Sequence, residues 1–142
     1  DLDEALACAR AQEKPVFVDF TGHGCVNCRE MEARVWSDPR VLQRLRDDFV
    51  VVALYVDDKT ELPEADWYTS ELDGKVKRTI GKQNADWQIS RFNNNAQPYY
   101  LLLDPATGQP LVAPKAYDLS VQNFVAFLES GKERYRSQVA LR

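Results

Sequence analysis

The 142-residue sequence predicts an α/β domain, a three-layer sandwich with helices on both faces of a mixed central sheet. Three observations predict it. Val16 to Phe20, Phe49 to Val56 and Tyr99 to Leu103 are short runs of apolar, β-branched and aromatic residues, as strands buried on both faces are. Segments with helical spacing alternate with them, the order that builds layered α/β sheets. The turn Asp104-Pro105-Ala106-Thr107-Gly108 follows the last of these strands, so the chain should return antiparallel and make the sheet mixed.

The elements follow in order. Asp3 to Gln12 reads as a helix, with Leu2, Leu6 and Ala9 on one face. Cys8 lies within it and is expected to be a small buried hydrophobe. Lys14-Pro15 ends that helix, and Val16 to Phe20 reads as a central strand. Thr21-Gly22-His23-Gly24 is a loop with two glycines. A helix runs from Cys25 through Glu30, Met31 and Val35 until Ser37-Asp38-Pro39, where a capping residue and a first-turn proline open the next. In that helix Val41, Leu42 and Leu45 should face inward. Phe49 to Val56 is the second strand.

Asp57 to Lys82 then reads as an insertion, acidic at first (Asp57, Asp58, Glu61, Glu64) and basic at its end (Lys75, Lys77, Arg78, Lys82). Connections of this length are functional or mobile, with a solvated segment of no role as the alternative. Asn84 to Phe92 reads as a short helix carrying Trp87, Ile89 and Phe92. Tyr99 to Leu103 is the third strand, and Gln109 to Ala113 should be the fourth. Ser120 caps a last helix through Val121, Phe124, Val125 and Leu128. From Gly131 onward the chain should be a flexible tail, so residues 1–142 read as one domain.

Composition narrows the function. With 44% hydrophobic and 28% charged residues, a packed core is expected rather than disorder. A net charge of −4 argues against a nucleic-acid partner, which would call for a basic surface. No apolar run reaches the roughly 20 residues that span a bilayer. The chain opens on Asp1-Leu2-Asp3-Glu4 without a leader or initiator Met, and it reads as an excised or processed domain. No Gly-rich phosphate loop or nicotinamide fingerprint occurs, so redox equivalents should come from thiols, with no cofactor beyond a Cys25–Cys28 disulfide.

Cys25-Val26-Asn27-Cys28 carries the chemistry. A cysteine at a helix N-terminus meets backbone N–H groups and the positive end of the helix dipole, which favour a thiolate. Cys28, three positions on, lies on the same face, so a disulfide closes without distorting the helix. Cys25 would attack a partner disulfide, and Cys28 would then attack Cys25 and release the reduced partner. A zinc site would need two more ligands, for which only Cys8 and His23 remain; no metal is expected.

Asp19, on the first strand, should be buried with a raised pKa and accept the Cys28 proton as a general base. Glu32, one helical turn beyond Cys28, would share that role or oppose the thiolates electrostatically; a solvated helix face is the alternative. Gln97 and Pro98 precede a strand. If their bond is cis, they leave a backbone edge beside the thiols for an extended peptide, with Gly24 and Val26 flanking Cys25 as further contacts. His23 would stabilise the thiolate as a cation, or simply line the loop.

Val16 to Phe20, the Cys-x-x-Cys motif and a Pro98 strand 70 residues beyond Cys28 together resemble the thioredoxin superfamily. Phe17 to Glu32 and Ser37-Asp38-Pro39-Arg40-Val41 more narrowly resemble the C-terminal periplasmic domain of the thiol:disulfide interchange protein DsbD family. There the family's buried Asp falls on Asp19 and its active-site Glu on Glu32. The resemblance implies a thioredoxin-like fold and a protein-disulfide reductase. Such a domain receives electrons from membrane-embedded and N-terminal domains of the same protein and passes them to periplasmic thiol-disulfide partners. It also implies a monomeric periplasmic domain of a bacterial inner-membrane protein. A disulfide oxidase or isomerase, a non-catalytic partner- or metal-binding module, and a secreted or cytoplasmic location are the alternatives. The chain departs from the pattern at Gly24, where an aromatic often stands, and in the insertion.

Overall fold

The computed structural model describes residues 1–142. Its principal sheet has four strands in the order β2-β1-β5-β6, with β1 (Val16–Thr21) and β2 (Val50–Tyr55) parallel. β5 (Tyr99–Leu103) runs antiparallel to β1, and β6 (Lys115–Ala116) antiparallel to β5. All six residues of β1 are buried, which explains why its sequence shows no polar alternation. Side chains alternate across it even so. Val16, Val18 and Phe20 join Ala5 and Ala9 of α1 (Leu2–Gln12), with Trp87 and Phe92 of α4 (Ile80–Phe92) packed alongside. Phe17 joins Met31 of α2 (Val26–Met31), Val41 and Leu45 of α3 (Pro39–Asp48), and Phe124 and Leu128 of α5 (Val121–Ala140). Asp19 falls in the same row as Phe17, so a carboxylate occupies a place in the core.

The structure departs from the sequence expectations at identifiable residues. The helix after Cys25 is α-helical only to Met31 and continues as a π-turn over Glu32–Trp36. Leu42 is 49% exposed, because Val41 and Leu45 alone fill the inward stripe of α3. Cys8 is exposed, since Ala5 and Ala9 set the inward face of α1 and Cys8 lies to the side of it. The segment Gln109 to Ala113 makes only an isolated pairing, Leu103 with Pro110, and the fourth strand forms later, at Lys115–Ala116. Pro110 and Pro114 lack the N–H groups that a continuous ladder requires.

The insertion is structured and ends sooner than expected. It holds a 3-10 turn at Glu64–Asp66 and a hairpin of β3 (Tyr68–Thr69) with β4 (Val76–Lys77), and α4 already begins at Ile80. Gly81 lies in the first turn of that helix, where backbone presses on it: a Cβ there would lie 2.6 Å from the Asp58 nitrogen. Gly131 likewise does not end the last helix, which continues to Ala140. A Cβ at Gly131 would collide with Leu102 Cδ1, so the glycine lets α5 press against β5. No helix is long and apolar enough to cross a membrane.

Candidate active site

β1 ends at Thr21, and three residues, Gly22, His23 and Gly24, carry the chain to Cys25. Cys25 caps α2 directly, its Sγ accepting the Cys28 backbone N–H at 3.1 Å. Cys25 and Cys28 are joined as a disulfide, with Cα atoms 5.3 Å apart. Their exposure differs. Cys25 is partly accessible, while Cys28 is 1% exposed and packed under the helix. An incoming group therefore meets Cys25 first.

The Gln97–Pro98 peptide is cis and directly precedes β5, whose Tyr99 pairs with Phe20 near the end of β1. Pro98 thus lies at the end of the sheet from which the Cys25 loop departs. Gln97 is held by α4 and its own turn: its amide donates to Gln88 Oε1 at 2.9 Å and to the Asn95 carbonyl at 3.1 Å. Gln88, fully buried, donates in turn to the Ala96 carbonyl at 2.8 Å. Val26 is 76% exposed, and Gly24 has open space where a side chain would stand.

Asp19 is 4% exposed, and its Oδ1 has no hydrogen-bond partner. Burial first, and then the nearby Glu32 charge, push its carboxyl up to about 7 against the opposing charge of Arg29. Glu32 and Arg29 pair at 3.2 Å on the half-exposed flank of the helix. Arg29 also donates to Thr21 Oγ1 at 2.9 Å and to the Gly22 carbonyl at 3.3 Å, tying α2 to the end of β1. Tyr100 stands opposite Asp19 in the sheet, and burial followed by the Asp19 charge pushes its hydroxyl upward. Trp36, packed on Phe17 and Tyr100, has an indole N–H without an acceptor. A carboxyl that titrates near neutrality among such neighbours is equipped to take up and return a proton.

On the other side of the loop, Asp57 follows β2. Its carboxylate accepts the His23 backbone N–H at 2.7 Å and the Gly24 N–H at 3.3 Å, and it contacts His23 Nδ1 at 3.0 Å. These contacts hold its carboxyl below the usual range, the His23 backbone bond contributing most. The His23 ring stacks on Tyr55, with centroids 4.2 Å apart.

The structure thus brings Asp19 and Glu32 within electrostatic reach of each other and sets Cys25 and Pro98 at one end of the sheet. Sequence reasoning missed Arg29, Gln88, Tyr100 and Asp57. A signal for Asp57 existed: β1 and β2 are parallel neighbours, so the loops leaving their C-terminal ends emerge side by side.

A sequence model of the Thioredoxin-like family matches residues 1–105. The chain belongs to that family. Its curated relatives include the thiol:disulfide interchange protein DsbD of Salmonella typhimurium, 45% identical over 53 residues, a match spanning 37% of this chain and 9% of that protein. Among solved structures, a thioredoxin from Thermus thermophilus superposes with a TM-score of 0.61 at 26% identity, covering 89% of this chain and 79% of that one. The oxidised C-terminal domain of Neisseria meningitidis DsbD gives a TM-score of 0.59 at 16% identity, covering 92% of each chain. The last likeness is one of fold. The thioredoxin-like chain carries its Cys-x-x-Cys pair in the setting of a thiol-disulfide oxidoreductase domain.

Proposed function

We propose that this domain is a protein-disulfide reductase that cycles Cys25 and Cys28 between dithiol and disulfide. The observation that carries the reading is the unequal exposure of the two sulfurs at a helix start. Reduced Cys25, stabilised as thiolate by the Cys28 N–H, attacks a partner disulfide and forms a mixed disulfide. Cys28, shielded from outside thiols, loses its proton, with Asp19 as the base. It then attacks Cys25 Sγ, and the partner leaves reduced. Glu32 raises the proton affinity of Asp19 and so holds the pair in check. The partner segment lies extended beside Gln97 and Pro98 and against Gly24 and Val26. Likeness to DsbD supports a wider setting, in which a membrane-embedded domain of the same protein supplies the electrons and periplasmic disulfides receive them.

Equilibration with glutathione or dithiothreitol tests the direction of flow. A reduction potential near that of thioredoxin, about −270 mV, is expected; one near DsbA, about −120 mV, would make the domain an oxidant instead. Cys28→Ala should trap partners on Cys25 as stable mixed disulfides. Absence of trapping together with no insulin reduction by the wild type would favour a binding module.

A further inference from the structure

The loop in front of the nucleophile has the composition of a mobile segment. Gly22 and Gly24 flank His23, and Gly24 has no atom within 4 Å of where a Cβ would stand. Nothing on Gly24 itself can hold the turn that sets Cys25, and glycine raises the entropy cost of fixing it. Yet the turn is closed, with the Cys25 N–H donating to the Gly22 carbonyl at 3.3 Å, and two of its N–H groups converge on one carboxylate. That carboxylate belongs to Asp57, from the neighbouring parallel strand's exit loop.

We propose that Asp57 is the positioning residue of the nucleophile, bracing the Gly22–Cys25 turn so that Cys25 Sγ stays under the Cys28 N–H. The inference rests on the reductase reading and adds to it the group that substitutes for a side chain at position 24. Three observations carry it. Both backbone donors of the turn's centre, His23 N–H and Gly24 N–H, are satisfied by Asp57. The His23 ring is held twice, at Nδ1 by Asp57 and on its face by Tyr55. Asp57 is itself held in place: the next residue, Asp58, accepts the Gly81 N–H at 2.9 Å through its carbonyl, and its carboxylate accepts the Thr60 N–H at 2.9 Å. Gly22 also lies close beneath the carboxylate, so that a Cβ there would meet Asp57 Oδ2 at 3.2 Å. Arg29 adds a further tie to the turn, donating to the Gly22 carbonyl at 3.3 Å.

Charge and brace are separable. Asp57→Asn and Asp57→Ala remove the same negative charge, but only the carboxamide keeps an oxygen that accepts the two N–H groups. Two readouts on the full chain compare them: the rate at which the reduced protein attacks dithionitrobenzoate, and the pH profile of iodoacetamide alkylation of Cys25 in a Cys28→Ala background. Asp57→Ala should lose about tenfold in rate, the scale of a slightly misplaced reacting atom, and Asp57→Asn should regain most of it. The alkylation midpoint should lie higher in the Ala than in the Asn variant, because a loosened Cys25 thiolate loses its N–H donor for part of the time. Gly22→Ala, which crowds the carboxylate without removing it, should reproduce the loss in part and serves if Asp57→Ala fails to fold. Equal rates and midpoints for Asp57→Ala and Asp57→Asn, or full activity in Gly22→Ala, would overturn the brace. A wild-type protein that does not react with the disulfide would instead overturn the reductase reading.

Discussion

Asp19 and Asp57 flank the same loop and are put to opposite uses. Asp19 lies in the core with an oxygen that nothing satisfies, and burial drives it toward the protonated form. Asp57 lies in the open with donors gathered on it, and they drive it toward the ionised form. The residue type does not set the role; the supply of donors does. An acid starved of donors keeps its proton toward neutrality, as the proposed base must, while one well supplied stays ionised, as the proposed brace must.

The sharpest way to break this contrast is Asp19→Asn. Folded Asp19 holds its proton up to about pH 7, while the unfolded chain releases it near its ordinary value of 3.8. Between those values the folded state binds the extra proton, so its stability falls as pH rises, by on the order of 4 kcal/mol in total. Asn carries no such charge. The variant should therefore match the wild type in urea unfolding below about pH 4 and exceed it by a few kcal/mol at pH 8. Equal stability at both would show that Asp19 is not strained by its burial.

Asp57→Ala should move stability the other way and by less. Its lowered carboxyl contributes stability that is present above the ordinary carboxylate value and lost as pH falls through its own folded value. The variant should be less stable than wild type at pH 7, and the gap should close in acid. Urea titrations at the two pH values check it, and a gap that persists unchanged in acid would remove the charge from the account.

The smallest effects tune the first carboxyl. Glu32→Gln should move the Asp19 titration below its wild-type midpoint, and Arg29→Gln should move it above, since the two charges act on Asp19 with opposite sign. Carboxyl NMR of Asp19 reads both. Shifts in the same direction would mean that the substitutions act by rearranging the helix and not through charge.

Much of the fold was legible because β1 and β5 announce themselves by composition and the flanking helices by period. The errors have local physical causes. Gly131 looks like a helix stop in sequence, but it is a contact with Leu102 that no pattern within one helix reveals. The strand expected at Gln109 to Ala113 is displaced to Lys115–Ala116, because Pro110 and Pro114 lack the donors of a continuous ladder. At the site, Cys25, Cys28, Asp19 and Pro98 stand out because each is an unusual residue in its own segment. Asp57 does not: it is one acid in an acidic stretch, and its partners lie 33 and 34 residues earlier in the chain. Only the parallel pairing of β1 with β2 makes it a neighbour of the Cys25 loop.

The excursion beyond Asp58 returns to its own starting point, with Gly81 seated on the Asp58 backbone. Its two ends meet whatever lies between them, and the entropy of closing such a loop grows only slowly with its length. The hairpin within it is pinned separately, Tyr68 and Ser70 both donating to Asp86 of α4. The excursion is thus closed at its neck and fastened at its tip by different contacts, and Asp57, just outside the closure, keeps its grip on the loop that leads to Cys25.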